Sequence, residues 1–229
     1  MVSSHGGELQ LASYRLGCKP SELLDASTSL AAWSPRCQVP SQRVIRDYPD
    51  RRQTGLVKAL ESLYGLDSSF FLSGNGAAEL FTWAARDAAS AGLSRLSYPG
   101  FADYTRALRC WEAVFQKNPM PLSWSEAFPQ HFPDCGQGDV VWICNPHNPT
   151  GQLWSRASLE PLLSRFTLVI CDEAFLPLVP DGEQQSLIPL VAKHPNLVVI
   201  RSLTKLYGIA GLRLGYAVAQ PERLQRWAE

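Results

Sequence analysis

The sequence carries no surplus of charge. Its 21 Lys and Arg stand against 21 Asp and Glu, for a formal net charge of zero. This argues against nucleic acid as the main partner, because counterion release needs a cationic excess; a small local anion site stays open. Charged residues make up 18% of the chain, against about 25% in ordinary soluble proteins. Long apolar runs are missing too: none approaches the roughly 18 residues that a membrane helix needs. Met1–Gln10 has neither the basic nor the apolar region of a secretory signal. The six cysteines, Cys18, Cys37, Cys110, Cys135, Cys144 and Cys171, form no CxxC pair. Cys144 and Cys171 fall in apolar runs, where a thiol acts as a small hydrophobe. The expectation is a reduced, cytoplasmic protein without a disulfide framework or a metal site. No internal repeat or low-complexity run is present, and the composition excludes disorder, collagen and coiled coil.

What is present is enough for a buried core. At about 150 residues per domain, 229 residues make one or two domains. Apolar residues are 45%, and seven Trp and 17 Pro suggest a compact, loop-rich protein with apolar surface to spare. Apolar bursts alternate with helical patterns, the α/β signature. Candidate strands are Phe70–Ser73, Arg95–Tyr98, Ala113–Gln116, Val140–Asn145, Leu168–Asp172, Val198–Ser202 and Arg213–Val218. Several are continuous rather than alternating, as when helices cover both faces of a sheet. Candidate helices are Glu8–Leu16, Ala77–Ala91, Ala102–Cys110, Arg156–Arg165 and Pro189–His194. The predicted fold is α/β: a mostly parallel seven-stranded sheet sandwiched by helices. Residues 1–45 read as an N-terminal arm or part of a small domain, and 46–229 as the large domain.

Polar residues cluster where the strands end, and in open α/β sheets ligands bind beyond the carboxyl ends. Gly74-Asn75-Gly76-Ala77 follows a strand and opens a helix. Such a turn either seats an anion on the first N–H groups or only connects two elements. Ser202-Leu203-Thr204-Lys205, with Arg213 eight residues after the lysine, could hold a phosphate or be a surface lysine and a paired arginine. Asp172 closes an apolar run, so its carboxylate needs a partner: a helix end, an ion pair or a protonated ring nitrogen. Two prolines flank Asn148 and would fix its side chain for one hydrogen bond, unless the loop is merely rigid. Phe101, after Tyr98-Pro99-Gly100, is either a core aromatic or one that stacks on a planar ligand.

Taken together, Gly74-Asn75-Gly76, Asn148-Pro149-Thr150-Gly151, Asp172-Glu173-Ala174, Ser202-Leu203-Thr204-Lys205 and Gly211-Leu212-Arg213-Leu214-Gly215-Tyr216 resemble the pyridoxal-phosphate (PLP) enzymes of the aspartate aminotransferase fold. The likeness runs from about residue 45 to the end of the chain. It implies that Lys205 joins PLP covalently, that Asp172 holds the pyridinium N–H and that Asn148 donates to the ring oxygen. Phe101 would stack on the ring. Ser202, Thr204, Arg213 and the N–H groups of Gly76 and Ala77 would hold the phosphate.

Within that fold the chain is most similar to the histidinol-phosphate aminotransferase group, and above all to threonine-phosphate decarboxylases of cobalamin synthesis. His5-Gly6-Gly7 resembles the N-terminal HGG of the decarboxylases. Phe175 stands where aminotransferases place a Tyr. The resemblance implies decarboxylation of L-threonine O-3-phosphate to (R)-1-amino-2-propanol O-2-phosphate. His5 would contact the substrate, and Tyr48 would reach it from the neighbouring subunit of a homodimer. Ser29-Leu30-Ala31-Ala32 departs from the Asn-x-Asn-Pro of the decarboxylases. The resemblance also implies a C-terminal small domain, with a carboxylate-binding Arg, beyond Glu229. The rival readings are an aminotransferase such as histidinol-phosphate aminotransferase, and a non-catalytic fragment of either enzyme.

Overall fold

The structure, a computed structural model, describes residues 6–31, 33–36, 46–121 and 126–229. His5, Ala32 and Cys37 lie outside the described residues. The centre is a seven-stranded sheet: β1 (Phe71–Asn75), β2 (Ser94–Tyr98), β3 (Phe115–Pro119), β4 (Val140–Cys144), β5 (Leu168–Asp172), β6 (Leu197–Ser202) and β7 (Leu214–Val218). Their order across the sheet is β1-β7-β6-β5-β4-β2-β3. Only β7 runs antiparallel to its neighbours. The predicted mostly parallel, seven-stranded α/β fold is what the structure has. Each strand lies within about two residues of its expected start.

The helices cover both faces because the central strands are apolar on both. β4, β5 and β6 are buried at every position, the pattern of strands shielded from water on two sides. One core gathers Val169, Cys171, Val199 and Val218. Against it pack α2 (Thr54–Tyr64) through Leu60, and the short helices α5 (Arg156–Leu159) and α6 (Leu162–Arg165) through Leu159 and Leu163. The other core gathers Ile170, Val198, Ile200 and Ala217. It meets α3 (Gly76–Ala91), α4 (Ala102–Cys110) and α8 (Pro221–Ala228). Leu80, Phe81, Ala84, Ala85 and Ala88 give α3 its buried stripe, at the i, i+1, i+4, i+5, i+8 spacing of one helix face.

Two predicted helices differ. The one expected over 156–165 is interrupted between Leu159 and Leu162, because Pro161 has no N–H to give the carbonyl of Ala157. The one expected at Pro189–His194 is a 3-10 helix, Ile188–Lys193. Near the amino end are α1 (Leu9–Leu16) and a 3-10 turn at Pro20–Glu22; α7 (Leu203–Tyr207) follows β6 directly. No helix of the described residues is long and apolar enough to cross a membrane.

One glycine decides how closely α3 approaches the sheet. A Cβ at Gly215 in β7 would stand 2.7 Å from the Ala77 nitrogen and 2.9 Å from the Gly76 carbonyl carbon. Both are backbone atoms and cannot swing aside. Gly215→Ala should therefore cost about 1–3 kcal/mol of stability, the usual penalty of overpacking, read from urea unfolding. An unchanged unfolding midpoint would mean that the start of α3 can move off the sheet freely.

Candidate active site

The strand ends that were expected to converge do converge. Asp172 ends β5 and Ser202 ends β6, and Lys205 lies in the first turn after β6. β7 runs the other way, so its beginning, just after Arg213, lies at this same edge; Ser202 pairs with Gly215 and Asn75 with Leu214. Together they line a cleft of about 1020 Å³. Ala77, Phe101, Asn148, Asp172, Ser202, Thr204, Lys205 and Arg213 all face it. So do Ser29 and Leu30, from the stretch expected to make N-terminal contacts. Tyr48 is fully exposed and does not line the cleft.

Asp172 is the most perturbed acid of the site. It is buried, and burial pushes its pKa up to about 6, although the Tyr104 hydroxyl, the Ala174 N–H and Lys205 pull it back. Tyr104 donates to Oδ2 at 2.6 Å and the Ala174 N–H to Oδ1 at 3.0 Å. Among the described residues no cation forms a salt bridge with it. Lys205 is shifted the opposite way. Burial lowers its pKa; Asp172 opposes that change and Arg213 adds to it. Its Nζ lies over the Phe175 ring, 5.3 Å from the ring centre, so residue 175 faces the amine with a ring that offers no hydrogen-bond donor.

Arg213 and Gly76 form the anion-seeking end. Arg213 has φ 52 and ψ 56, a left-handed conformation unusual for a side-chain-bearing residue. Its guanidinium lies where a side chain on Gly76 would go: a Cβ there would stand 2.7 Å from Nη2. Gly76 begins the 16-residue helix α3. A cation set against the positive end of a helix dipole is unfavourable on its own. It becomes favourable when an anion sits between the two. Thr204 and Ser202, both largely buried, line the cleft beside them.

Asn148 is positioned from behind. Its N–H donates to the Cys144 Sγ at 3.4 Å, and the thiol donates to the Pro146 carbonyl at 3.2 Å. His147 is buried, with Nδ1 2.6 Å from the Thr150 hydroxyl. Burial lowers its pKa, which keeps the ring neutral. Phe101 packs edge-on against Tyr104 and Phe81, with its ring only partly buried.

Sequence reasoning missed Tyr104 and Cys144. A signal for Tyr104 existed: it shares a helix face with Ala107 and Leu108, and a tyrosine buried on such a face must find a partner for its hydroxyl. Also missed was Arg201, one residue before Ser202. It is buried against Glu173 at 2.7 Å and reaches the half-exposed Glu183 at 2.7 Å. No group of three His, Cys, Asp or Glu among the described residues could hold a metal ion.

Comparison with known proteins shows the family and the fold to which the chain belongs. Residues 24–229 match the family described as aminotransferase class I and II. A threonine-phosphate decarboxylase of Salmonella typhimurium is 33% identical, over 94% of this chain and 62% of that protein. A histidinol-phosphate aminotransferase of Brevibacillus brevis is 30% identical, over 76% of this chain and 49% of the relative. Among solved structures, an L-threonine-O-3-phosphate decarboxylase from Porphyromonas gingivalis superposes with a TM-score of 0.69 at 29% identity. The match covers 81% of this chain and 58% of that one. The chain thus spans about half to three fifths of the length of the curated relatives it matches.

The perturbed Asp172 makes stability depend on pH. Its folded midpoint, about 6, lies above the ordinary 3.8, so the folded state holds the proton more tightly. The stabilisation is complete below about pH 4 and is lost as pH rises through 6. Asp172→Asn cannot suffer that loss. Relative to the parent protein, its unfolding free energy should rise by about 3 kcal/mol from about pH 3 to about pH 8, measured by urea unfolding without added ligand. A difference that stays flat across this range would mean that Asp172 titrates as an ordinary carboxylate.

Proposed function

Because the chain belongs to the aminotransferase class I and II family, whose members use PLP, we propose that it is the cofactor-binding part of a PLP-dependent threonine-phosphate decarboxylase. The reaction is loss of carbon dioxide from L-threonine O-3-phosphate, giving (R)-1-amino-2-propanol O-2-phosphate. The observation that carries the reading is the pairing of a buried, unneutralised Asp172 with a low-basicity Lys205 in one cleft.

The residues fit the cofactor at both of its charged ends. Arg213 against the start of α3 is a cradle short of an anion, and a side chain on Gly76 would block it. Asp172 is a buried carboxylate short of a cationic partner. We assign the phosphate to Arg213, Ser202, Thr204 and the N–H groups of Gly76 and Ala77, and the ring N–H to Asp172. Asn148 would donate to the ring oxygen and Phe101 would lie against the ring. Lys205, whose lowered pKa leaves more free amine at neutral pH, makes the covalent attachment. When bound, PLP supplies the sink for the electron pair released at the substrate Cα.

The chain's own residues then have limited tasks. Asp172 keeps a proton on the ring nitrogen. Lys205 Nζ, the amine facing the cleft, would be the group to return a proton to the substrate Cα after the carboxylate leaves. Phe175, facing that amine, gives no hydrogen bond where the aminotransferase pattern has a tyrosine; this favours the decarboxylase. We place the protein in the cytoplasm as a homodimer, with Tyr48 and His5 serving the substrate. The second reading, histidinol-phosphate aminotransferase, is supported by a relative of nearly equal identity.

Two measurements test the proposal. Added PLP should turn the protein yellow, and Lys205→Ala should abolish the colour. Arg213→Ala should weaken PLP binding by about 1–3 kcal/mol, the scale of a charge-assisted contact. A colourless wild-type protein would sink the cofactor assignment. With L-threonine O-3-phosphate, release of carbon dioxide supports the decarboxylase; amino transfer to 2-oxoglutarate from histidinol phosphate instead would establish the second reading.

A further inference from the structure

Tyr104 has no part in the chemistry assigned so far, yet it makes the shortest bond to Asp172. Its hydroxyl is 2.6 Å from Oδ2, and the residue is 5% exposed. The ring is walled in on three sides. Phe81 meets it at 5.1 Å and Phe101 at 5.5 Å, both edge-on, and Trp142 at 5.3 Å. The hydroxyl therefore cannot swing away from the carboxylate.

We propose that Tyr104 is a positioning residue for Asp172, holding its carboxylate ionised and in one orientation toward the cleft. The inference rests on the reading of Asp172 as the partner of a cofactor ring nitrogen, and it explains how a carboxylate this deeply buried can serve that role.

A buried carboxylate reverts to the neutral acid unless donors compensate for the lost water. Asp172 has two, the phenol and the Ala174 N–H, and only the phenol can be altered without touching the backbone. Burial, and then the adjoining Asp172, push the Tyr104 pKa well above its ordinary value. The phenol thus keeps its proton, remains a donor and does not compete for charge.

The other titratable groups around Asp172 come from four elements. Cys144 of β4 adjoins both residues; burial and then Asp172 push it up to about 12, so it stays a thiol. Glu173, next along the chain, turns to the opposite face and is bound by Arg201. Lys205 of α7 attracts the carboxylate, and Arg213 lies beyond Lys205. None of these donates to Asp172 as Tyr104 does. Cys144 also accepts the Asn148 N–H, so one packed cluster supports both polar contacts proposed for the ring.

Tyr104→Phe tests this, since it removes one oxygen and keeps the ring. In protein carrying ¹³C-labelled aspartate and no added ligand, the Asp172 carboxyl should titrate about one pH unit higher in Tyr104→Phe than in wild type. PLP affinity, followed by absorbance, should fall about tenfold. An unchanged Asp172 midpoint overturns the inference, even if the variant is less stable, because a packing role would not hold that midpoint down. If wild-type protein fails to bind PLP, the functional reading falls while the ligand-free titration still decides the role of Tyr104. Should Tyr104→Phe not fold, the tyrosine ultraviolet difference spectrum of wild type reads the same bond. A change between about pH 5 and pH 7 that is lost in Asp172→Asn supports the inference; no change in that range overturns it.

Discussion

The buried pair of Arg201 and Glu173 sets the geometry on which the cleft depends. Both side chains are essentially inaccessible to water, and Arg201 also reaches Glu183 and the Ser186 hydroxyl. Ser186 and the Leu187 N–H in turn bond Glu173. Removing one partner of such a pair leaves a buried charge, at a cost of about 3–5 kcal/mol. The arrangement of strands β5 and β6 is pinned accordingly. Successive residues of a strand point to opposite faces. Asp172 precedes Glu173, and Ser202 follows Arg201. Fixing the charged pair on one face therefore fixes the carboxylate and the hydroxyl that line the cleft on the other. The Glu173 N–H bond to the Ile200 carbonyl, 2.9 Å, extends the ladder one residue past β5 and keeps the alternation in register.

On the cleft side the electrostatics run the other way. Burial disfavours the ordinary charge of Asp172 and Lys205, and Arg213 stands against the positive end of α3. Each is unfavourable in isolation. Together they describe what would relieve them: a molecule with an anion at one end and a protonated nitrogen at the other. Such a site trades stability of the empty fold for affinity, and the compensating stability comes from the satisfied network on the opposite face.

Much of this was legible in the sequence. Continuous apolar runs gave away β4, β5 and β6, and the polar residue closing each run marked the sheet edge where the cleft lies. Helix α2 was not read, although Leu56, Val57 and Leu60 carry a helical spacing. Its start gives no signal: Gln53 precedes it in a left-handed conformation and makes no side-chain cap. Helix α8 was missed because only Leu224 and Trp227 of its eight residues are buried, too few to establish a period. The sequence-named residues that line the cleft are those whose local motif carries the chemistry. Tyr104 and Arg201 act through partners 68 and 28 positions away. Only the sheet order brings those partners together.

The reversed strand β7 explains how so short a segment supplies both the amine and the guanidinium. Every other strand ends at the edge of the sheet where the cleft lies, and would need a crossover of a dozen or more residues before a parallel neighbour could end there too. By running antiparallel, β7 begins at the cleft instead. The chain leaves β6 at Ser202, makes the short helix α7, turns through Gly208 at φ 61, passes a 3-10 turn at Ala210–Leu212 and enters β7 just after Arg213. A side chain on Gly208 would collide with the Trp33 carbonyl at 2.6 Å, so this turn is also where the N-terminal segment crosses. Lys205 and Arg213 thus share one tight loop, with the N-terminal segment laid over it and β1 and α3 on its far side. The same reversal brings Gly215 beneath the start of α3. The strand direction, the absent side chain and the helix end without a side-chain cap therefore act together to place an anion seat beside the lysine.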